Sequence, residues 1–372
     1  MTRFHLAVAL DGAGWHPAAW RDPSARPHDL FTAAYWTGLV TEAQRGLLDF
    51  VTIDDALSLQ QATHFIPDDR VDQVRGRLDA LLIAARVAPH TANLGIVPTV
   101  TTADTEPFHT SKNIATLDYV STGRAGVQFR VGGFRDATHF GRRPALEISR
   151  ENLRSPEIEQ AVAERFDEAA DYIEVVRRLW DSWEDGAEIR DAATGRFIDR
   201  DRLHRIDFQG AHFSVRGPSI TPRPPQGQPL VTVLGHSEIP YTLAQRQADV
   251  VFVTPADASY IAVEGPKVFA DLVVFLGSDK ARLDELDGEQ FLSDARIVTE
   301  GLADKIEELQ QLGYDGVRLR PGVLPVDLIA IVDELVPELQ RRGLFRTSYE
   351  ASTLRGHLGL DRPASRYQGA SR

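Results

Sequence analysis

The sequence has 372 residues and a formal net charge of −13, a length that suits either one large α/β barrel or two ordinary domains. The acidic balance is spread along the chain, which argues against nucleic-acid binding, and the absence of cysteine excludes disulfides and thiolate chemistry. The N-terminus lacks a signal-peptide pattern and no apolar run approaches the ~20 residues that span a bilayer, so we expect a cytoplasmic protein without a membrane segment.

Short apolar runs rich in β-branched residues alternate with amphipathic helical patterns along the chain. Strands are predicted at 4–10, 49–53, 93–100, 125–131, 229–235, 249–253, 271–277 and 315–320. Helices are predicted near 29–46, 70–86, 110–121 and 159–183. Strands that are apolar on both faces and alternate with helices indicate a parallel sheet, and eight such units favour a (β/α)8 TIM barrel over a doubly wound sheet. We therefore predict one barrel domain over 1–345 and a C-terminal tail over 346–372.

Two segments interrupt this alternation. Residues 185–228 are rich in Gly, Pro and Asp and contain alternating stretches around Phe208 and Phe213, which predicts an excursion with a small hairpin. We expect this excursion to lie over the barrel mouth. The connection at about 254–270 is abbreviated, because it leaves little room for a crossover helix.

Polar residues that follow the strands are the candidates for chemistry, because the reactive face of a parallel barrel is at the carboxyl ends of its strands. Asp54 and Asp55 follow the second strand, where an acid either contacts a ligand or caps a helix. Thr99, Thr101 and Thr102 follow or end the third strand, and such a cluster of hydroxyl groups can bind the polar edge of a ligand.

Gln128 and Arg130 alternate with apolar residues on the fourth strand, so both side chains are predicted to point into the barrel. An arginine in that position needs an anionic partner from the protein or from a ligand. Ser237 opens the helix after the fifth strand, where unpaired N–H groups and the helix dipole suit a phosphate. The alternative is that Ser237 acts only as the N-cap of that helix.

His16 follows the first strand and lies beside Trp15 and Trp20 in the sequence. It is the candidate catalytic residue, as a proton donor or hydrogen-bond partner in a substrate pocket. The alternative is a loop histidine beside aromatic side chains that plug the barrel. The sequence contains no dinucleotide or P-loop fingerprint, no nucleophile elbow and no H-E-x-x-H motif, and we predict no metal site.

Five segments in fixed order resemble the luciferase-like flavin-dependent monooxygenases. They are "EPFHTSKNIATLDYVSTGRAG", "VVRRLWDSWEDGA", "IDFQGAHFSVRGPSITPRPPQGQPLV", "GHSEIPYTLAQRQADVVF" and "VPELQRRGLFRTSYEASTLRGHLGL". The branch they resemble includes the nitrilotriacetate, dibenzothiophene sulfone and dimethyl sulfide monooxygenases, and the resemblance runs over nearly the whole chain.

The resemblance implies a (β/α)8 barrel that binds reduced FMN delivered by a separate NAD(P)H flavin reductase. Reduced flavin and O2 then form a C4a-peroxyflavin, which oxygenates a small organic substrate. Two alternatives are a deazaflavin-dependent oxidoreductase of the same superfamily and a non-catalytic flavin-binding protein. A homodimer or homotetramer is also implied.

The resemblance further implies that cofactor-binding positions fall on this sequence at Asp55, Thr101, Gln128 and Ser237, and Arg130 on the fourth strand is an added candidate for a cofactor contact. The chain also departs from the family pattern. Phe166 replaces the tyrosine of an arginine-tyrosine pair, Val162 replaces a histidine, and Gln128 replaces an asparagine.

Overall fold

The computed structural model of the protein describes residues 4–60, 69–133, 137–141, 146, 148, 151–152, 154–254, 265–291 and 296–368. In this part of the chain, parallel strands form a barrel from β1 (His5–Leu10), β2 (Phe50–Ile53), β3 (Gly95–Thr101), β4 (Gly126–Arg130), β5 (Leu230–Gly235), β6 (Val250–Val253), β7 (Lys267–Val274) and β8 (Gly316–Pro321). They pair in this order, and β8 pairs with β1, which closes the barrel. The predicted (β/α)8 barrel is confirmed.

Helices surround the barrel. In the described residues they are α1 (Ala33–Arg45), α2 (Ala80–Val87), α3 (Pro107–Val120), α4 (Ala137–Phe140), α5 (Pro156–Asp181), α6 (Glu238–Gln247), α7 (Lys280–Asp287), α8 (Leu302–Leu312), α9 (Val326–Ala330), α10 (Val336–Arg341) and α11 (Leu354–His357). A π-helical turn, Ile331–Leu335, joins α9 to α10, and the two-residue strand Ile297–Val298 pairs with β7. None of the described helices combines the length and the hydropathy of a segment that crosses a bilayer.

The strand predicted at 271–277 is β7, which begins and ends earlier than predicted. Lys267 already pairs with β6, so the strand starts four residues before the predicted start. It ends at Val274 because the Asp327 carboxylate accepts the N–H groups of residues 276–278 at 2.8 to 3.0 Å. The connection between β6 and β7 is therefore shorter than predicted, and most of it, residues 255–264, lies outside the described residues.

The helix predicted near 70–86 is α2, which begins only at Ala80. Gly76 has a φ of +88°, which no right-handed helix contains. Asp79 then caps the helix by accepting the N–H group of Leu82 at 2.8 Å. The preceding residues are instead part of the barrel mouth.

The excursion predicted at 185–228 contains two hairpins, Glu188–Asp191 with Arg196–Ile198 and Asp207–Gln209 with Ser214–Arg216. It follows the C-terminal end of α5, which lies at the amino end of the barrel strands. Phe208 and Phe213 of the second hairpin pack beside Val175 and Leu179 of α5. The hairpin prediction around these phenylalanines is confirmed, but the expected position over the barrel mouth is wrong, because the hairpin packs against the C-terminal half of α5.

The segment after residue 345, predicted to be a C-terminal tail, folds against the amino end of the barrel. Leu354 on α11 and Leu358, the residue after it, are buried, and they pack with Phe50 and other interior side chains of the barrel. Arg346 is also buried, and its guanidinium is bonded to Asp49 beside β2. This segment therefore fills one end of the barrel interior.

Asp118 at the end of α3 is buried without a cationic hydrogen-bond partner among the described residues. Its carboxylate accepts the N–H of Ala125 at 3.2 Å and both the backbone N–H and the side-chain amide of Gln226, at 3.0 and 2.6 Å. Burial raises the pKa of Asp118 to about 6, and these hydrogen bonds only partly oppose the effect.

A pH-dependent stability difference should therefore separate wild-type protein from the Asp118→Asn variant. The folded wild type retains the Asp118 proton up to about pH 6, whereas the unfolded chain releases it near the ordinary pKa. Its stability therefore falls as the pH rises through this window. The stability of the variant relative to wild type should increase by up to about 3 kcal/mol between pH 4 and 7. Urea unfolding of both proteins at several pH values measures this difference in the free energy of unfolding. A difference that stays the same at every pH would contradict the prediction.

Candidate active site at the barrel mouth

The barrel interior near the carboxyl ends of the strands contains the polar residues that were predicted there from the sequence. Thr101 ends β3 and is directly paired with Arg130 at the end of β4. One step deeper, Thr99 is paired with Gln128. Gln128 is buried, whereas Arg130 is 28% exposed at the mouth. The predicted inward direction of both side chains on β4 therefore agrees with the structure.

Gln128 has protein partners on both ends of its amide. Its Nε2 group donates to Thr99 Oγ1 at 3.0 Å, and its Oε1 atom accepts a hydrogen bond from Arg318. Arg318 is fully buried, with its guanidinium 3.8 Å from the centre of the Phe252 ring. Gln128 therefore belongs to a hydrogen-bonded layer beneath the mouth.

Asp271 on β7 joins this layer. Arg318 binds it through two hydrogen bonds of 2.8 and 2.7 Å, and Arg320 binds it from the next layer up. The two guanidinium groups hold the pKa of Asp271 well below its usual range although burial opposes this. Burial lowers the pKa of Arg318. The three side chains form a buried cluster with one more positive than negative charge.

Asp55 is held by backbone groups. Its carboxylate accepts the N–H of Ala56 at 2.8 Å and the N–H of Ala80, the first residue of α2, at 2.9 Å. Burial raises its pKa, and these two hydrogen bonds oppose that effect. Its observed contacts are those of the helix-cap alternative, while a cofactor contact stays a prediction.

Asp54 is the anionic partner that Arg130 needs. The closest approach of the Arg130 guanidinium to the Asp54 carboxylate is 3.8 Å, and Arg130 Nη1 donates to the backbone oxygen of Asp55 at 3.2 Å. Arg77 binds Asp54 at 3.3 Å and Asp11 at 3.3 Å. Burial raises the pKa of Asp11 to about 6, which Arg77 partly opposes. These four side chains form a balanced group of two acids and two arginines.

Ser237 is exposed at the start of α6 and occupies the N-cap position. Within the described residues its hydroxyl group makes no capping hydrogen bond, while its backbone oxygen accepts the N–H of Tyr241 at 3.1 Å. The side-chain N-cap alternative is therefore not realised. His236 and Thr254 lie beside it, 3.4 Å apart between Nδ1 and Oγ1. This part of the mouth presents a hydroxyl group at a helix N-terminus.

His16 lies in the loop after β1 and is buried against α7. Its Nδ1 atom accepts the N–H of Ala18 at 3.0 Å, and its Nε2 atom lies 3.0 Å from Asp284 Oδ1. The Phe291 ring lies 4.9 Å away, and burial lowers the histidine pKa. Both ring nitrogens thus contact protein groups in this structure, and the catalytic role of His16 stays a prediction.

Arg318, Arg320 and Asp271 were not singled out from the sequence. In Gly316–Pro321 the two arginines alternate with Val317 and Leu319, the same pattern that identified Gln128 and Arg130 on β4. The signal was present, but their shared acid lies on a different strand. Among the described residues, no group of three or more His, Asp or Glu side chains could hold a metal ion.

The fold is a closed (β/α)8 barrel with charged side chains at its mouth. Comparison with known sequences identifies the family. The sequence profile of the luciferase-like monooxygenases matches residues 13–271. The chain belongs to this family and is a flavin-dependent oxidoreductase, as the sequence motifs implied.

Two curated relatives span nearly the whole chain. N-acetyl-S-(2-succino)cysteine monooxygenase of Bacillus subtilis (strain 168) is 29% identical over 450 aligned positions, which cover 97% of this chain and 98% of the relative. Nitrilotriacetate monooxygenase component A of Aminobacter aminovorans is 30% identical, with 97% of each chain covered. Because the first alignment exceeds the 372 residues of this chain, that relative contains internal segments that this chain lacks.

Solved structures share the same fold. EDTA monooxygenase from Chelativorans sp. BNC1 has a TM-score of 0.78 at 24% identity, and the match covers 97% of this chain and 99% of that chain. A riboflavin lyase, solved with modified FMN and riboflavin, has a TM-score of 0.80 at 22% identity, with 99% and 98% covered. These likenesses agree with the barrel described above.

Proposed function

We propose that this chain is the oxygenase of a two-component flavin monooxygenase. It would bind reduced FMN released by a separate NAD(P)H flavin reductase and use O2 to oxygenate a small organic substrate. Family membership supports flavin chemistry, and the relative named as component A supports a division into two proteins. The observation that carries the proposal is the uncapped N-terminus of α6 with the exposed Ser237 at the barrel mouth.

The residues at this part of the mouth fit the FMN phosphate. The first N–H groups of an α-helix have no partners within the helix, and the helix dipole favours an anion there. The Ser237 hydroxyl adds a donor that no capping contact occupies among the described residues. Glu238 in the first turn opposes an anion, so Ser237 and the N–H groups must outweigh one exposed carboxylate.

Arg130 and Thr101 are the proposed contacts for the remaining polar edge of the cofactor. They end neighbouring strands at the mouth, and Arg130 uses only Nη1 in the contacts described. Gln128 and Asp55 already have protein partners, so we propose that Gln128 holds Thr99 and Arg318 in place beneath the cofactor and that Asp55 holds the start of α2.

Bound reduced FMN would supply the electrons and the position at which O2 is activated. The protein's contribution is to orient the cofactor and the substrate and to exclude water from the mouth. Oxygen consumption that depends on substrate and on reduced FMN is expected. Substrate turnover without O2 would instead indicate deazaflavin-type hydride transfer.

The Ser237→Ala variant tests the phosphate contact. If Ser237 donates to the phosphate, its loss should weaken FMN binding by about 1.5–3 kcal/mol, which is roughly tenfold to a hundredfold in Kd. Riboflavin binding should change little, because riboflavin has no phosphate. Anaerobic fluorescence titration with both dithionite-reduced flavins measures the difference.

Thr242→Ala is the matched control, since Thr242 is exposed on the same helix and its hydroxyl group donates to the backbone oxygen of Glu238 in that helix. It should bind both flavins like wild type. Equal losses for FMN and riboflavin in Ser237→Ala would place the phosphate elsewhere, and no saturable binding of either flavin to wild type would refute the proposed function.

A further inference from the structure

We propose that Arg320 and Trp15 form a binding subsite for a carboxylate group of the substrate, on the side of the mouth away from Ser237. This inference deepens the proposed function, and it rests on that function for the identification of the bound carboxylate as part of a substrate. The subsite itself rests on the contacts, charge and rigidity of a few described residues.

The guanidinium group of Arg320 has unused donors. It lies 4.0 Å from the centre of the Trp15 ring, and Asp271 is its hydrogen-bond partner. No other polar partner occurs among the described residues, and Nε is buried without an acceptor. The side chain is 14% exposed, so part of it is accessible from the mouth. Because Trp15 covers one face, the donors that remain lie in the plane of the guanidinium.

Arg320 shares its acid with a second arginine. Asp271 is already bound by two hydrogen bonds from Arg318, so this single carboxylate serves both guanidinium groups. The neighbouring acids Asp11 and Asp54 make their ion pairs with Arg77 and Arg130. A largely buried guanidinium that shares its acid is a good partner for a further anion.

The Arg320–Trp15 pair is held rigidly, which distinguishes it from a mobile surface arginine. The loops after β1 and β8 exchange backbone hydrogen bonds, from Trp15 N to Pro321 O at 2.9 Å and from Leu324 N to Ala13 O at 2.7 Å. Between them, Gly14 has a φ of +130°, and a Cβ there would lie 2.3 Å from the oxygen of Gly322. Only glycine fits this contact, so the backbone that carries Trp15 is fixed against the loop after β8.

The position of the pair separates it from the proposed phosphate site. The barrel order places β5, which precedes Ser237, directly across from β1, which precedes Trp15. An anion at Arg320 is therefore a second anion on the opposite side of the mouth. A carboxylate matches best, because its planar pair of oxygens fits the in-plane donors of a stacked guanidinium.

Calorimetric titration of the FMN-loaded protein with succinate and benzoate, each compared with its neutral amide at constant ionic strength, tests the subsite. At least one carboxylate should bind saturably and its amide should not. Arg320→Gln should weaken that binding by about tenfold or more, and Arg320→Lys, which keeps the charge but not the planar fork, by less. Arg246→Gln, exposed at the opposite end of the barrel, should bind like wild type.

Three results would overturn the subsite: no saturable carboxylate binding to wild type, equal binding by Arg320→Gln, or equal binding of the amide. Flavin titration of the same variants identifies a failure of folding, because an intact mouth should retain FMN affinity in Arg320→Gln. The same carboxylate titration without FMN separates the two proposals, because carboxylate binding to a protein that binds no flavin would preserve the subsite and refute the proposed function instead.

Discussion

Replacing Asp271 with asparagine should lower the free energy of unfolding by about 3–5 kcal/mol, because it breaks a buried ion pair. Arg318 is fully buried, and Asp271 is the acid that binds it. An asparagine would leave two guanidinium groups in the barrel interior without a counterion. Urea unfolding at neutral pH, followed by circular dichroism, measures the loss.

The matched control is Asp333→Asn, which removes an acid whose ion pair with Arg45 is about half exposed. A surface pair of this kind contributes about 0–1 kcal/mol, so the control should be close to wild type. A loss below 1 kcal/mol for Asp271→Asn would show that the arginines relax toward water, and that the charged layer does not hold the barrel together.

Replacing Leu354 with alanine should cost about 2–5 kcal/mol of stability, because Leu354 is completely buried in the amino end of the barrel. It packs so closely on Gly95 of β3 that a Cβ at that glycine would lie 2.5 Å from Leu354 Cδ1. The truncated side chain would leave a cavity that rigid strands cannot fill. Denaturant titration with a constant m-value would establish the loss.

Leu312→Ala is the control, since Leu312 is 50% exposed at the end of α8. Such a surface change is expected to stay within about 0.5 kcal/mol of wild type. If Leu354→Ala were equally mild, the C-terminal segment would be an accessory to the barrel rather than part of its core.

The fold could be predicted from the sequence because each barrel strand is a short apolar run and each is followed by turn and helix signals. The boundaries that were wrong depend on distant residues. Asp327 ends β7 by binding its following N–H groups, and nothing near residue 274 indicates that. Gly76 has a positive φ, which keeps α2 from beginning before it, and the sequence alone does not indicate that conformation.

The site was predicted in part for the same reason. Thr101, Arg130 and Ser237 follow from the rule that strand ends form the mouth, and the structure places them there. The pairing of Arg318 with Asp271 could not be predicted, because residues 47 positions apart meet only through strand order. The position of the excursion was predicted wrongly because it depends on contacts with Val175 and Leu179 of α5, which the composition of the excursion does not indicate.

The backbone hydrogen bonds between the loops after β1 and β8 have a consequence for how the protein is made. They join Trp15 to Pro321, so this side of the mouth can form only after the ribosome has delivered the last barrel strand. The other side, with Thr101, Arg130 and Ser237, is synthesised much earlier. Long-range closure carries the larger entropic cost and is slow, so a nascent chain should complete the Ser237 side before the Arg320 side.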